Sequence, residues 1–175
     1  QYFRTNMQIY GLQHKVSLSK KAFLQSTLAY ANQRIWSNHD LIYRDTNYRV
    51  LSIHPILYYG QREQQASFNQ HITYKFSNRL TAKIGYYFKS YTFEIYDSAR
   101  FDTNARFVTR AQGNGSFFLF QPFAQLKYKI SEKTVATIGI RYQYMSLNNN
   151  SSAFEPRAAI SHKLHEKHQL SLGLG

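Results

Sequence analysis

Apolar and polar side chains alternate along several long stretches of this sequence, and this period of two is the feature that most limits its fold. From position 134 onward, Ala136, Ile138 and Ile140 alternate with Thr137 and Gly139. The pattern recurs from positions 22, 66, 118 and 170. Such alternation is typical of a β-strand whose two faces meet different surroundings. No run approaches the roughly 20 apolar residues of a membrane-spanning helix. The sequence therefore predicts an all-β fold.

The alternating segments are unusually long for strands. Soluble sheets use about five or six residues per strand, whereas a tilted strand needs roughly 9 to 11 to cross a bilayer. We predict an antiparallel transmembrane β-barrel of about eight strands. Their approximate bounds are 4–18, 22–35, 63–76, 80–96, 116–130, 134–147, 155–164 and 169–175.

Short and long connections alternate between these predicted strands. The tight polar turns are 19–21, 77–79, 131–133 and 165–167. The longer connections are 37–62, 97–115 and 147–154, the last of which contains Asn148, Asn149 and Asn150. Tight periplasmic turns with longer extracellular loops are typical of outer-membrane barrels.

The composition fits strands at a boundary between water and an apolar zone. Aromatic residues make up 17% of a chain whose mean hydropathy is only −0.52. The absence of cysteine excludes a disulfide, a thiolate metal site and a cysteine nucleophile within these residues. The net charge of +13 comes from 22 Lys and Arg residues that are spread singly. This spacing argues against nucleic acid as a partner and fits cations that line a lumen or contact anionic lipopolysaccharide.

Two stretches resemble the barrel portion of TonB-dependent receptors, which import siderophores, vitamins, glycans or peptides across the outer membrane. One runs from Gly11 through Leu18-Ser19-Lys20-Lys21 to Leu24, and the other from Glu155-Pro156-Arg157 to Gly173. The resemblance implies part of a transporter barrel for energy-coupled nutrient uptake in the bacterial outer membrane, without catalysis or a cofactor. It implies as partners the outer-membrane lipid and lipopolysaccharide, TonB and a plug domain through the rest of the parent chain, and a surface lipoprotein or other subunits.

The expected domain organisation is a partial transmembrane β-barrel over residues 1–175, with no plug domain and no signal peptide in this chain. A complete transporter of this family has roughly 22 strands, and the sequence ends Leu172-Gly173-Leu174-Gly175 without the usual terminal aromatic residue. We therefore expect an arc of a larger barrel.

Candidate functional residues fall into two predicted sets. Substrate contacts are expected in the two longest connections, from the following aromatic and basic residues: Trp36, Tyr43, Tyr48, Tyr58, Tyr59, Arg100, Arg106 and Arg110. A polar set is expected to face the lumen: Lys15, Gln25, Thr27, Asn69, His71, Lys75, Lys83, Gln125, Lys127, Lys129, Arg141, Gln143 and Lys163.

The sequence predicts no catalytic, metal or cofactor site. His162 falls on a lipid-facing position, while His165 and His168 lie in or beside a turn, so their spacing does not favour a metal site. The carboxylates near the long connections have no orienting partner, and no serine stands in a Gly-x-Ser-x-Gly motif.

Two alternatives remain open at this stage. One is a complete eight-stranded outer-membrane barrel, either an adhesin or a structural, porin-like protein, in which the first and last strands would pair. The other is a soluble basic β-protein that binds polyanions. That alternative would bury a set of apolar side chains, namely Phe68, Ile72, Leu126, Ile138, Ile140, Leu170 and Leu172.

Overall fold

The computed structural model describes residues 1–147 and 151–175 and forms one antiparallel sheet of eight strands. The strands are β1 (Tyr2–Ser17), β2 (Ala22–Arg44), β3 (Val50–Lys75), β4 (Leu80–Ala99), β5 (Val108–Lys129), β6 (Thr134–Met145), β7 (Ser152–His165) and β8 (His168–Leu174). No helix in these described ranges is long and apolar enough to cross a membrane. The strands follow chain order, with β1 and β8 at opposite edges, so the sheet is not closed. The predicted fold class, an arc of a larger antiparallel barrel, is confirmed.

The two longest predicted connections are wrong, because the strands beside them continue much further. β2 extends to Arg44 and β3 begins at Val50, while β4 ends at Ala99 and β5 begins at Val108. Only residues 45–49 and 100–107 connect them. Alternation is strong only where one face of a strand meets an apolar medium. Both faces of these extensions carry polar and aromatic residues, so the period of two fades although the strands persist.

The third predicted connection, 147–154, is described only in part. β6 ends at Met145 and β7 begins at Ser152. Asn148, Asn149 and Asn150 lie outside the described residues.

Three of the four predicted short turns are built in the same way around a serine hydroxyl. Ser19 Oγ accepts hydrogen bonds from the backbone N–H groups of Lys21 at 3.2 Å and Ala22 at 3.0 Å. Ser77 and Ser131 accept the corresponding pairs of bonds in their own turns. A serine that bonds the backbone two and three residues later stabilises a tight turn. The fourth turn, between His165 and His168, uses no serine.

The chain divides into two compact units, of which the first contains residues 1–10, 30–65 and 91–116. The 45–49 connection is held by Asp45, whose Oδ1 accepts bonds from Asn47 N at 2.9 Å and Arg49 N at 2.8 Å. Tyr48 has a φ of 61°, in the left-handed region that tight turns use.

The second unit contains residues 11–29, 66–90 and 117–175. In β5 to β8, opposite residues join two even-numbered or two odd-numbered positions, except at the turn end of β7 and β8, where the register shifts and His165 lies opposite His168. For example, Leu126 lies opposite Ile138, Ile138 opposite Ala158, and Ala158 opposite Leu174. Opposite residues of an antiparallel pair point to the same face. We call the even-numbered face of these strands the apolar face and the odd-numbered face the polar face.

The apolar face is exposed. Ile138 is 57% exposed and Leu172 is 67% exposed, and Leu126, Ile140 and Leu170 are exposed as well, while Phe68 and Ile72 are half-buried. Ala82 is the only apolar side chain that is buried in the described part of the chain. A soluble protein needs an apolar core, so these exposures do not favour the soluble alternative.

Aromatic rings on even-numbered positions of β4, β5 and β6 contact one another across the strands of the second unit. Phe88 stacks on Phe118 with centroids 5.9 Å apart, and Phe118 contacts Tyr144 at 5.8 Å. Tyr86 contacts Phe120 at 5.9 Å. Such rows are typical of the interface between membrane and water, where amphipathic rings are most stable.

Candidate functional site

The polar face of the second unit is strongly cationic. On β5 to β7, Lys127, Lys129, Arg141, Arg157 and Lys163 occupy odd-numbered positions. Glu155 is the only acidic residue on the described odd-numbered positions of these strands, and it is neutralised by Arg157, whose Nη2 lies 2.7 Å from its Oε2. The predicted lumen-facing residues of these strands therefore share one face, and that face presents an excess of positive charge.

Two aromatic rings on the polar face each lie beside a cation. Phe123 stacks on Tyr87 with centroids 5.3 Å apart. Lys83 Nζ lies 5.8 Å from the Phe123 ring, and Arg141 Cζ lies 5.7 Å from the Tyr87 ring. A cation over an aromatic face is attracted by the ring quadrupole. The stack therefore positions one lysine and one guanidinium on the same surface.

Arg141 carries an unused donor. Its Nε is buried and has no hydrogen-bond partner among the described residues, although a buried donor without a partner costs free energy. A carboxylate or carbonyl of another protein segment, or of a ligand, would satisfy this donor. The sequence predicted Arg141 but did not include Tyr87 and Phe123 among the lumen-facing candidates, because that set was limited to polar side chains. Their odd-numbered positions are the signal that could have found them.

The eight residues predicted to contact substrate do not form one site. Only Tyr48, Arg100 and Arg106 lie in connections; Trp36 and Tyr43 lie on β2, Tyr58 and Tyr59 on β3, and Arg110 on β5. The predicted placement of those five residues in loops is therefore wrong, because β2, β3 and β5 extend further than the alternation of apolar and polar residues indicates. All eight belong to the first unit. Whether they contact substrate stays a prediction.

Within the first unit, one group joins two of the predicted residues. Arg100 lies 5.2 Å from the ring of Phe107, which contacts Tyr58 at 4.8 Å between centroids. Arg100 Nε also donates to Pro55 O at 2.6 Å, and its Nη1 donates to Thr103 O at 2.5 Å. The guanidinium therefore ties the 100–107 connection to β3. Phe107 was missed because nothing in its local sequence marks it as a partner of Tyr58.

The other predicted residues have separate local partners. Arg110 forms a bidentate ion pair with Asp97, with Nη2 at 2.7 Å from Oδ1 and 2.8 Å from Oδ2. Tyr43 contacts His54 at 5.6 Å, Tyr59 OH donates to Gln61 Oε1 at 2.6 Å, and Arg34 lies 5.5 Å from the Trp36 ring. Tyr48 and Arg106 are exposed. These groups are positioned side chains, but they do not converge on one pocket.

The histidine spacing does not produce a metal site in the structure. His162 lies opposite Leu170 and Thr134, on the apolar face, and its Nδ1 is 2.8 Å from Thr134 Oγ1. His165 and His168 are opposite each other at the turn. Within the ranges that the structure describes, no three His, Cys, Asp or Glu side chains could hold a metal ion together.

Comparison with solved structures supports the fold. The copper transporter OprC matches with a TM-score of 0.69 at 12% sequence identity, over 95% of this chain and 29% of that chain. The RagAB peptide importer in its open-open state matches with a TM-score of 0.65 at 14% identity, over 98% of this chain and 22% of that chain. The present chain thus spans less than a third of the length of each. No curated protein matches.

A family model covers the whole sequence. The model for the TonB dependent receptor-like β-barrel matches residues 1–175. This match agrees with the open antiparallel sheet, its exposed apolar face and its aromatic row. The chain therefore belongs to the TonB-dependent receptor β-barrel family.

Proposed function

We propose that residues 1–175 form part of the wall of an outer-membrane transporter barrel that takes up a nutrient with energy supplied through TonB. The family match over the whole chain is the observation that carries this proposal. The exposed apolar face would contact lipid, and the polar face would line the lumen. The wall itself has no catalytic role in this proposal, and its location is the bacterial outer membrane.

The direction of the barrel follows from the lengths of its strands. β3 has 26 residues, which extend to about 85 Å along the strand, whereas the hydrocarbon layer is about 30 Å thick. The part of the strands that exceeds the bilayer thickness is the end next to the 45–49 and 100–107 connections. Long loops and strand extensions project outside the cell in such barrels, and short turns lie on the periplasmic side. We therefore assign the 45–49 and 100–107 connections to the extracellular side.

The cationic polar face is the proposed contact for a plug domain supplied by the rest of the protein. Arg141, Lys127 and Lys129 of this face present positive charge, and Arg141 Nε lacks a partner within the described part of the chain. An acidic plug surface, or backbone carbonyls of the plug, would satisfy both features. TonB would then act through that plug. A surface lipoprotein is a further proposed partner, which the resemblance to this family implies.

The predicted extracellular residues are proposed to contact substrate before it enters the lumen. Arg100, Tyr58 and Phe107 form the best-positioned group, and Trp36, Tyr43, Tyr48, Tyr59, Arg106 and Arg110 surround the same end of the strands. The structural neighbours are a copper transporter and a peptide importer, so a shared fold does not determine the cargo.

Cysteine labelling tests the membrane placement directly, because these 175 residues contain no cysteine. In the full-length protein, with any other cysteines replaced, Tyr48→Cys should react with a membrane-impermeant maleimide on intact cells. Asn78→Cys, in a short turn, should react only after the outer membrane is permeabilised. Equal labelling of both positions on intact cells would contradict the proposed orientation.

Uptake tests the transport proposal separately. Cells that lack the full-length protein should lose growth on one nutrient from a panel of metal chelates, peptides and glycans as sole sources. Removal of TonB should produce the same loss in cells that keep the protein. Growth that survives the loss of TonB but not the loss of this protein would argue for passive, porin-like entry instead.

A further inference from the structure

Side-chain hydrogen bonds across β2, β3 and β4 show which residues of the first unit share a face. Gln64 Nε2 donates to Tyr30 OH at 2.6 Å, and Thr92 Oγ1 donates to Gln64 Oε1 at 3.2 Å. Arg62 Nε donates to Asn32 Oδ1 at 3.3 Å. All five residues occupy even-numbered positions. Because successive side chains of a strand point to opposite faces, the odd-numbered residues of these three strands share the other face.

The odd-numbered face of these strands in the first unit is largely apolar and carries no free cation. Every Lys and Arg within 30–44, 50–65 and 91–99 occupies an even-numbered position. Arg110 on β5 reaches this face only to pair with Asp97. The apolar side chains of the face include Ile35 on β2, Leu57 and Tyr59 on β3, and Phe93 and Ile95 on β4. Such a surface favours an apolar ligand without negative charge.

A row of three hydrogen-bonded side chains runs along β3 on the same face. Tyr59 OH donates to Gln61 Oε1 at 2.6 Å, and Gln61 Nε2 donates to Glu63 Oε1. These bonds hold the Glu63 carboxylate in position while it stays exposed. The ion pairs found in the described ranges do not involve Glu63. Its negative charge is therefore available to a cationic ligand.

Apolar side chains flank Glu63 on the neighbouring strands. The register set by the bonds of Gln64 places Glu63 between Ala31 on β2 and Phe93 on β4. Ile95 is the next residue of β4 on the same face. Phe93 is 39% exposed, and an aromatic ring attracts a cation through its quadrupole. A carboxylate beside a ring and an aliphatic side chain suits a protonated amine that is attached to an apolar group.

Glycines of β5 leave these apolar side chains open to a ligand. A Cβ built on Gly115 would lie 2.8 Å from two ring atoms of Phe93, and one built on Gly113 would lie 3.8 Å from Ile95 Cγ2. Phe93 and Ile95 therefore lie over glycine backbone, and β5 contributes no side chain at these two positions that would separate them from a ligand.

We propose that this surface binds a cargo molecule that combines apolar groups with a protonated amine. The Glu63 carboxylate would accept hydrogen bonds from the ammonium group, the Phe93 ring would lie beside its charge, and Ile35 and Ile95 would contact the apolar groups. The proposal rests on the transport function proposed above and names the chemical class of the cargo. Its test uses binding to the purified protein, which does not depend on TonB.

Calorimetry with two forms of one probe, the tripeptide amide Phe-Leu-Phe-NH2, tests the role of the charge. The form with a free amino terminus should bind the full-length protein in detergent, and the N-acetylated form should have a dissociation constant roughly tenfold higher, because a charge-assisted hydrogen bond is lost. Glu63→Gln should bind both forms equally. Glu94→Gln is the matched control, since it removes the same charge from an even-numbered position and should keep the tenfold difference.

A second pair of variants tests the apolar contact. Ile95→Ser should weaken the binding of both forms roughly fivefold and leave their ratio unchanged, because it removes apolar surface and no charge. Ile56→Ser, at an even-numbered position of β3, should bind like the unmodified protein. Each variant must keep the heat-dependent gel migration of a folded barrel, so that a loss of binding is not a loss of folding.

The outcomes separate this proposal from the transport proposal. Failure of both forms to bind, equal binding of both forms by the unmodified protein, or an unchanged ratio in folded Glu63→Gln would overturn the assignment of an amine to this surface, whatever the result of the uptake experiment. The expected binding ratios together with growth that does not require TonB would support the binding surface and refute energy-coupled transport alone.

Discussion

Replacement of Gly85 by alanine tests how closely β3 and β4 approach each other in the second unit. A Cβ built on Gly85 would lie 2.5 Å from His71 Cβ and 2.8 Å from His71 Cα, and it would also overlap the carbonyl oxygen of Gln70. Ordinary contact begins at 3.4 Å. The φ of Gly85 is not positive, so glycine is needed here for space and not for its backbone conformation.

The expected cost follows from two opposing terms. Forcing an extra methyl group into a packed site typically costs about 1–3 kcal/mol, and here the obstruction includes backbone atoms that cannot rotate away. The alanine also restricts the unfolded chain, which stabilises the folded state by about 0.4–1 kcal/mol. We therefore expect Gly85→Ala to lower the free energy of unfolding by about 1–2 kcal/mol.

Two other glycines of the sheet provide matched controls. A Cβ on Gly60 would meet no atom within 4 Å, so Gly60→Ala should be neutral or stabilising by up to about 1 kcal/mol. A Cβ on Gly115 would lie 2.8 Å from two ring atoms of Phe93. Because an aromatic side chain can rotate, Gly115→Ala should fall between the other two.

Urea unfolding of the full-length protein in detergent, followed by the loss of the fast-migrating folded band on unheated gels, measures all three variants. The expected order of midpoints is Gly60→Ala, then Gly115→Ala, then Gly85→Ala. A midpoint for Gly85→Ala equal to or above that of Gly60→Ala would refute the reasoning, since the backbone of β3 would then have room for a methyl group.

Three further predictions concern the connections and the strand ends. Ser77→Ala should destabilise its turn by about 1 kcal/mol, since two backbone N–H groups lose their acceptor; Asn78→Ala, in the same turn, is the control, and equal urea midpoints would contradict the role of the hydroxyl. The Asp97–Arg110 pair is partly exposed, so a double-mutant cycle to alanine should give a coupling of roughly 0.5–1 kcal/mol that decreases in high salt. Hydrogen bonds from Asn104 N and the Thr103 hydroxyl hold the pKa of Asp102 below its ordinary value of 3.8. These bonds should therefore stabilise the 100–107 connection above about pH 3.8 and be lost as the pH falls through the lowered pKa, and an NMR titration of that carboxyl at or above 3.8 would contradict them.

The sequence predicted the strands well where one face is apolar and poorly where both faces carry polar residues. From Thr134 to Met145 the alternation is strong, and the predicted 134–147 strand agrees with β6 within two residues. Beyond Trp36 on β2 both faces carry polar residues, so the pattern that revealed the strand disappears while the strand continues to Arg44. Alternation reports the surroundings of a strand rather than the strand itself.

Contacts between distant strands were also beyond local sequence analysis. The position of Tyr58 against Phe107 depends on which strands are neighbours, and the two residues lie 49 positions apart. Parity within one strand does place Tyr87 and Phe123 on the polar face, because each has an odd-numbered cation nearby in sequence. Position within a strand is therefore predictable, whereas pairing across strands requires the register.

The arrangement of positive charge explains why a chain with a net charge of +13 need not bind nucleic acid. The cations lie in the short turns, as at Arg79, on the polar face of the second unit, as at Arg141, and on β2 and β3 of the first unit, as at Arg34 and Arg62. Nucleic-acid binding would instead require a continuous basic stripe on one surface. In the proposed barrel the turns would face the periplasm and the polar face would line the lumen, so the net charge is a sum of separate local requirements.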